Sequence, residues 1–537
     1  MPDPSSPPAG DASAADVPAL AFANAEGAKA WANALPFGNV AQLHDAVTGQ
    51  LRALATASFT ARERATIAEV MRDQVAHLHT ELARRYAGKP QPAVDRELEA
   101  AEQAIALWNA LWEQYSACLK PLLEGDPELA GVKPKLLQRG LYVGKQLIVA
   151  HGLARRATPP ALWQELHAYY RLAEMLECAV TAVSDDLLPN GVGISCYSTY
   201  SHALLLGLAD PCAMTVKQIE LADRWLAMWA RKIFPYAQQR ESEGPVLIVD
   251  LDSTQGAALV MQTPADPPAT LRYGYPTKLA TSVRGRLKRL QGGANPAELQ
   301  LGHDCSAEQC TTLLGYLDAK WYQPPRRVPA GPPLPLDLCG GGVAAAYFRV
   351  SGRSFGRADP LGRVYAQKSQ HLQTLGALTD YDRGREDAER SWPWERWLGS
   401  CEWRDATLQR AGAAEHRWVL EQLAIVRDDD RTRLGYVTRV MQHPDGALAL
   451  SLRLWSAVPN SVAVRPLSAA MSEDPPLPAL LLAETPEDKA SLCLPPRSFS
   501  PGRVLRTIDP GTERKFRLTR LLQRGADFER VAFEESA

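Results

Sequence analysis

No stretch of the 537 residues approaches the roughly 18 consecutive apolar residues of a membrane-spanning helix, so the chain is expected to cross no bilayer. Charge of one sign is also lacking. Lys and Arg number 59 against 61 Asp and Glu, a formal net charge of −2, so no global field draws the protein to a nucleic-acid polymer or an anionic membrane. The nine cysteines are scattered and include no CxxC pair, which excludes a disulfide scaffold or a zinc ribbon and predicts free buried thiols in a reducing compartment. The first residues are rich in Pro, Ser and Ala and lack the basic start and apolar stretch of a signal peptide. They read as a disordered tail on a cytoplasmic protein.

Chemistry-bearing motifs are equally scarce. Gly340-Gly341-Gly342 has no following Lys-Ser/Thr and is no phosphate-binding loop; a bulge or tight turn is expected there. Ser195-Cys196 lacks the GxSxG elbow. His77 and His79 would point to different helix faces, and His77 with Asp73 has no third ligand. Asp185-Asp186 reads as a cap or turn more readily than as a paired carboxylate site. No enzyme and no metal centre are expected.

What is present is pattern. From Asn39 to about Ile233 the apolar spacing is helical, as in Leu43, Val47, Leu51 and Leu54. Thr60 and Glu63 form a predicted capping box. At Gly244 the texture changes to short β-branched runs, 245–250, 257–262 and 271–273, followed by helices at 277–292 and 306–320. Prolines from Pro324 to Pro335 mark a linker. Strands are expected at 343–350, 401–409, 416–427, 434–442, 446–456 and 461–466, with His443-Pro444-Asp445-Gly446 as a hairpin turn. The fold class is thus α+β and multidomain. A tail (1–18) precedes an all-α helical stack (19–240) and a small mixed segment (244–322). An antiparallel β-barrel (323–470) follows, with an insertion at 354–400, then a linker (471–490) and a terminal β module (491–537), which includes a helix-like 519–524.

Several stretches carry a family resemblance: Ala34–Asn39, Leu204–Pro211, Leu271–Leu301, Leu314–Trp321 with Arg326-Arg327 behind it, Leu434–Arg439 and Phe499–Phe533. Together they resemble a group of proteobacterial PilZ-related proteins, in which a long helical region precedes a PilZ-type barrel. PilZ domains are receptors for cyclic di-GMP, so the resemblance implies that messenger as a possible ligand, a non-enzymatic signalling role and a protein partner for the helical half. The family elements are RxxxR before the first strand and (D/N)xSxxG in the barrel. Their nearest matches are Arg326 and Arg327, and Asp405, Thr407 and Arg410, the last standing where Gly belongs. Arg349-Val350-Ser351-Gly352-Arg353 and Asp337-Leu338-Cys339 through Gly342 are displaced alternatives.

The chemistry of such a site is intelligible. Guanidinium forks pair with phosphates and guanine edges and stack on bases, while a short acid and a hydroxyl bond base edges. Between 326 and 368 seven basic residues face two acids, a local excess suited to an anion pocket or simply to a solvated basic linker. The cluster Trp392, Trp394 and Trp397 either stacks bases or anchors a partner, or buries itself against the barrel. Two readings stay open: a messenger-binding effector, or a ligand-free adaptor with a degenerate barrel.

Overall fold

The apolar faces predicted for the first half close on one another. The computed structural model describes residues 19–187, 193–324, 332–353, 355, 389–410, 412, 414, 416–429, 431–467, 476–508 and 514–536. Among these are twelve α-helices: α1 (Ala25–Asn33), α2 (Val40–Thr56), α3 (Ala61–Tyr86), α4 (Asp95–Ser116), α5 (Leu119–Leu123), α6 (Lys133–Leu153), α7 (Pro160–Met175), α8 (Cys196–Leu208), α9 (Val216–Trp229), α10 (Thr277–Gln291), α11 (Ala307–Tyr322) and α12 (Gly342–Ser351). Leu43, Val47, Leu51 and Leu54 of α2 are fully buried, as their spacing requires. Thr60 Oγ1 accepts from the Glu63 amide at 3.2 Å. The Glu63 carboxylate takes the Ala25 amide instead of reaching back, so half of the expected capping box forms.

Helix α6 is buried almost all round and is the axis of the stack. A Cβ at Gly144 would lie 2.2 Å from the Trp112 ring, so this close crossing of α4 and α6 requires glycine. The mixed segment adds a three-stranded antiparallel sheet, β2–β1–β3, from β1 (Val246–Asp250), β2 (Ala258–Val260) and β3 (Leu271–Gly274). Expected as a body apart from the helical stack, it shares one hydrophobic core with it, running from Phe22 to Trp321.

The remaining strands build two closed barrels. The first, in order β4–β5–β6–β9–β8–β7, uses β4 (Leu334–Cys339), β5 (Glu395–Cys401), β6 (Asp405–Arg410), β7 (Leu423–Asp428), β8 (Arg431–Gln442) and β9 (Leu448–Leu454). The second, in order β10–β11–β12–β15–β14–β13, uses β10 (Pro459–Pro466), β11 (Leu477–Leu482), β12 (Ser491–Leu494), β13 (Val504–Thr507), β14 (Lys515–Arg524) and β15 (Glu529–Ser536). Closure leaves no open edge in either sheet. The His443–Gly446 turn joins β8 to β9 as expected, with the Gly446 amide donating to the His443 carbonyl at 3.0 Å.

Several expectations give way here. Residues 343–350, read as the first barrel strand, form helix α12. Its Val343, Ala345, Ala346 and Phe348 are all buried, in a seam lined by both barrels, so the apolar run is continuous for want of a solvent face and not because it is a strand. The true first strand, β4, starts inside the presumed proline linker. Pro335 is its second residue and exposed, where a missing N–H is tolerated. Strand β5 lies in the presumed insertion. The last presumed strand of the first barrel is β10 of the second, and the presumed 471–490 connector holds β11. The helix-like 519–524 is strand β14, whose pairing with β15 shifts register twice; those bulges break the two-residue alternation that marks a strand. Of 416–427, only the end from Leu423 is strand. The tail 1–18 and most of 354–388 lie outside the described residues.

Candidate functional site

Strand parity decides what β6 can present. Successive side chains alternate faces, so Asp405 and Thr407 point outward and are exposed, while Arg410 shares the inward parity of the buried Ala406 and Leu408. Asp405 pairs with Arg453 at 3.1 Å and stays 64% exposed. Arg410 Nη1 lies 2.9 Å from Glu395 Oε2. Glu395 also accepts from the His416 amide at 2.7 Å and from Trp397 Nε1 at 3.2 Å. Burial opposes its charge, but the hydrogen bonds from His416 and the Arg410 guanidinium outweigh burial and hold its carboxyl below the usual range. Arg410 is therefore engaged in an ion pair, and the three β6 residues do not converge on one point. Arg326 and Arg327 lie outside the described residues. Leu334, at the start of β4, pairs with Gly399, which pairs in turn with Leu408, so β4 begins one strand across from Thr407.

The displaced motif matches fare differently. Asp337 is clamped between Arg396 at 2.9 Å and Arg427 at 2.7 Å, a cross-strand charge row over β5, β4 and β7. Cys339 is core, and Gly340–Gly342 turn the chain from β4 into α12, with Gly341 and Gly342 at positive φ. Arg349 of the Arg349–Arg353 match sits on α12, just before its left-handed Gly352 cap.

There it lines an open cleft of about 530 Å³ with Phe348, Gly352, Glu389, Pro393, Trp394, Arg427 and Thr432. The Arg349 guanidinium is 5.1 Å from the Trp394 ring centre and that of Arg427 is 4.7 Å from it. Arg349 is oriented by donating Nε to the Trp392 carbonyl at 3.0 Å. Arg427 is oriented by donating Nη2 to Asp337 at 2.7 Å. Two positioned guanidiniums on one indole can take a phosphate through the fork and a flat base by stacking. Of the tryptophan cluster, Trp397 is buried in the first barrel's core, while Trp392 and Trp394 pack against the seam. Arg349 and Trp394 carried a signal in their motif and cluster. Arg427 carried none, because only barrel closure brings β7 beside β4.

A second polar cavity, about 210 Å³, lies among α6, α8 and α9. Buried Lys145 donates to Asp223 at 2.8 Å, and His202 Nε2 lies 2.9 Å from the same carboxylate. Burial keeps the His202 imidazole below its usual pKa despite that neighbour. Asp185, read as a cap or turn, does hold the turn that follows it and is fully buried as well. It holds Arg72 bidentately at 2.7 and 2.9 Å and Arg139 at 3.0 Å, and it also accepts from the Leu187 amide.

Strand β8 joins the two halves. Its start pairs Thr432 with Arg427 at the cleft. Its far end docks on the helical half, where Arg439 donates to Asp210 at 2.8 Å and the Gln442 amide donates to the Arg155 carbonyl at 2.8 Å. Among the described residues no helix is long and apolar enough to cross a membrane, and no group of three or more His, Cys, Asp or Glu could hold a metal ion.

Two family models match the chain. Residues 26–235 match the model of "Cyclic-di-GMP receptor FimW, N-terminal domain", which spans α1 to α9. Residues 462–536 match the "FimW C-terminal beta-barrel domain", which is the second barrel. The first barrel and its cleft lie between the two matches. No curated protein and no solved structure matches. Matched in its helical half and in its last barrel, over more than half of its length, by the two domain models of one receptor, the chain belongs to the FimW family.

Proposed function

We propose that the chain is a non-enzymatic cyclic di-GMP receptor that binds the nucleotide at the Arg349–Trp394–Arg427 cleft and relays occupancy along β8 to a protein partner of the helical half. The ligand is that of the family description. The observation that carries the site is the pair of guanidiniums held within about 5 Å of one indole beside an open cavity. A base can slide onto Trp394 while a phosphate meets the cationic rim, and each guanidinium is pre-aimed by a protein acceptor, which lowers the ordering cost of binding.

Calorimetry on the full chain tests this. Binding of cyclic di-GMP is expected, weakened at least tenfold in Trp394→Ala and in Arg427→Gln. No heat at tens of micromolar protein removes the receptor reading. Heat that persists unchanged in both variants removes the cleft alone.

A second contact set rests on the register that starts β4 across one strand from Thr407. Arg326 and Arg327 would then meet Asp405 and Thr407 on the outer face, with Arg410 contributing only by holding β5 to β6. Loss of binding in Arg326→Ala with Arg327→Ala, but not in the cleft variants, would select it. The rival function, a ligand-free adaptor, is favoured by the engagement of Arg410 with Glu395. It predicts no nucleotide heat and a stoichiometric partner insensitive to added nucleotide.

A further inference from the structure

Helix α11 opens with a capping box: the Gln309 amide donates to Ser306 Oγ at 3.1 Å and the Ser306 amide to Gln309 Oε1 at 2.9 Å. This geometry brings the residue before the cap and the fourth helical residue together, positions usually filled by an apolar pair. Here they are Cys305 and Cys310. Cys310 Sγ donates to Cys305 Sγ at 2.8 Å, already close to the disulfide length of about 2.05 Å.

The two sulfurs differ in surroundings. Cys310 is fully buried, and burial together with its bond to Cys305 pushes its thiol up to about 12. Cys305 is partly exposed, and the Arg224 guanidinium is near enough to interact electrostatically with both sulfurs. Cys305 is thus the sulfur a solution oxidant can reach, with Cys310 in contact behind it to resolve the product. Cys178 and Cys196 also hydrogen-bond to each other, but both are 2% exposed or less and offer solution less surface than Cys305.

The surrounding loop is a junction. Asp304 takes Arg224 of α9 at 2.7 Å and also pairs with Lys217. The Leu301 carbonyl accepts from Trp225 Nε1 at 2.9 Å.

We propose that Cys305 and Cys310 are a redox-active dithiol that a hydroperoxide converts to an intramolecular disulfide, locking the start of α11 to the loop that grips α9. The Cys305 thiolate attacks the outer oxygen of the peroxide. The O–O bond breaks, leaving a sulfenic acid and, after protonation, one water or alcohol. The Cys310 sulfur then attacks the sulfenic sulfur, the S–O bond breaks, and hydroxide leaves with the thiol proton as a second water. Two thiols lose two electrons and one peroxide gains them. A dithiol reductant reverses the step.

The test uses the full chain treated with hydrogen peroxide, alkylated, digested and weighed. The wild type is expected to lose two hydrogens in the peptide spanning 305 and 310, to fall from nine titratable thiols to seven on denaturation, and to regain all nine with dithiothreitol. Cys310→Ser is expected to stop at a dimedone-reactive sulfenic acid on Cys305, and Cys305→Ser to leave Cys310 reduced. Amide exchange at the first turn of α11 is expected to slow on oxidation. A dithiol left intact under peroxide that oxidises a small free thiol overturns the proposal, as does preferential oxidation at any other cysteine. The wild-type measurement separates these outcomes without depending on how a variant folds.

Discussion

Asp527 carries a carboxylate into the seam between the barrels, where the Leu423 amide donates to it at 2.7 Å. Burial raises its carboxyl from 3.8 to about 6 in spite of that bond. Because the folded pKa lies above the unfolded one, the folded state binds the extra proton between about pH 4 and pH 6. Stability therefore falls as pH rises through that window and levels off above it, a change of up to about 3 kcal/mol. Asp527→Asn keeps an acceptor for Leu423 and removes the titration. The wild type is expected to lose more melting temperature than the variant between pH 4 and 6; parallel curves for the two proteins would refute the assignment. At the same scale, Arg349→Lys keeps a charge over Trp394 but loses the planar fork. It is expected to weaken cyclic di-GMP by about tenfold at nearly unchanged melting temperature, read by calorimetry and thermal shift.

Element scale shows where local pattern suffices. Strands β5 and β6 meet at Gly399, where a Cβ would lie 1.9 Å from the Thr407 carbonyl oxygen. Neither backbone can yield inside a closed barrel, so Gly399→Ala is expected to cost about 2–3 kcal/mol, read from the urea midpoint of full-chain unfolding; an unshifted midpoint would show that the strands can part. Helices such as α2 were legible because they have one buried stripe at the 3.6-residue period, as in Leu43 to Leu54. Helix α12 was not, since its apolar stretch Val343–Phe348 packs into the seam between two barrels, and a run with no exposed residue in it has no period to read. Strand β11 hid for a related reason: Pro478 to Leu482 are all buried, and the acidic, proline-rich residues around them suggested a connector.

The whole molecule is a helical stack tied to a barrel pair. Gln91 and Trp418 exchange two backbone hydrogen bonds at 2.7 and 2.6 Å. Arg417 donates to the carbonyls of Pro90 and Pro92 at 2.6 and 2.9 Å and pairs with the largely buried Glu97. Arg417→Ala strands that carboxylate, a loss of about 2 kcal/mol. Calorimetry is expected to show one transition for the wild type and two for Arg417→Ala, the helical half and the barrels unfolding separately; one unsplit peak for the variant would mean the halves are held by other contacts. The relay proposed along β8 runs through the same seam, at Arg439 and Asp210.

Sequence alone settled what depends on neighbours a few residues away: helix faces, the Thr60 cap and the His443–Gly446 hairpin. Its resemblance to PilZ-related proteins anticipated the receptor family. The partition into two barrels and the meeting of Arg349, Trp394 and Arg427 belong to tertiary structure. Barrel closure and a helix wedged between sheets set those distances, and such contacts between remote residues leave no periodic trace along the chain.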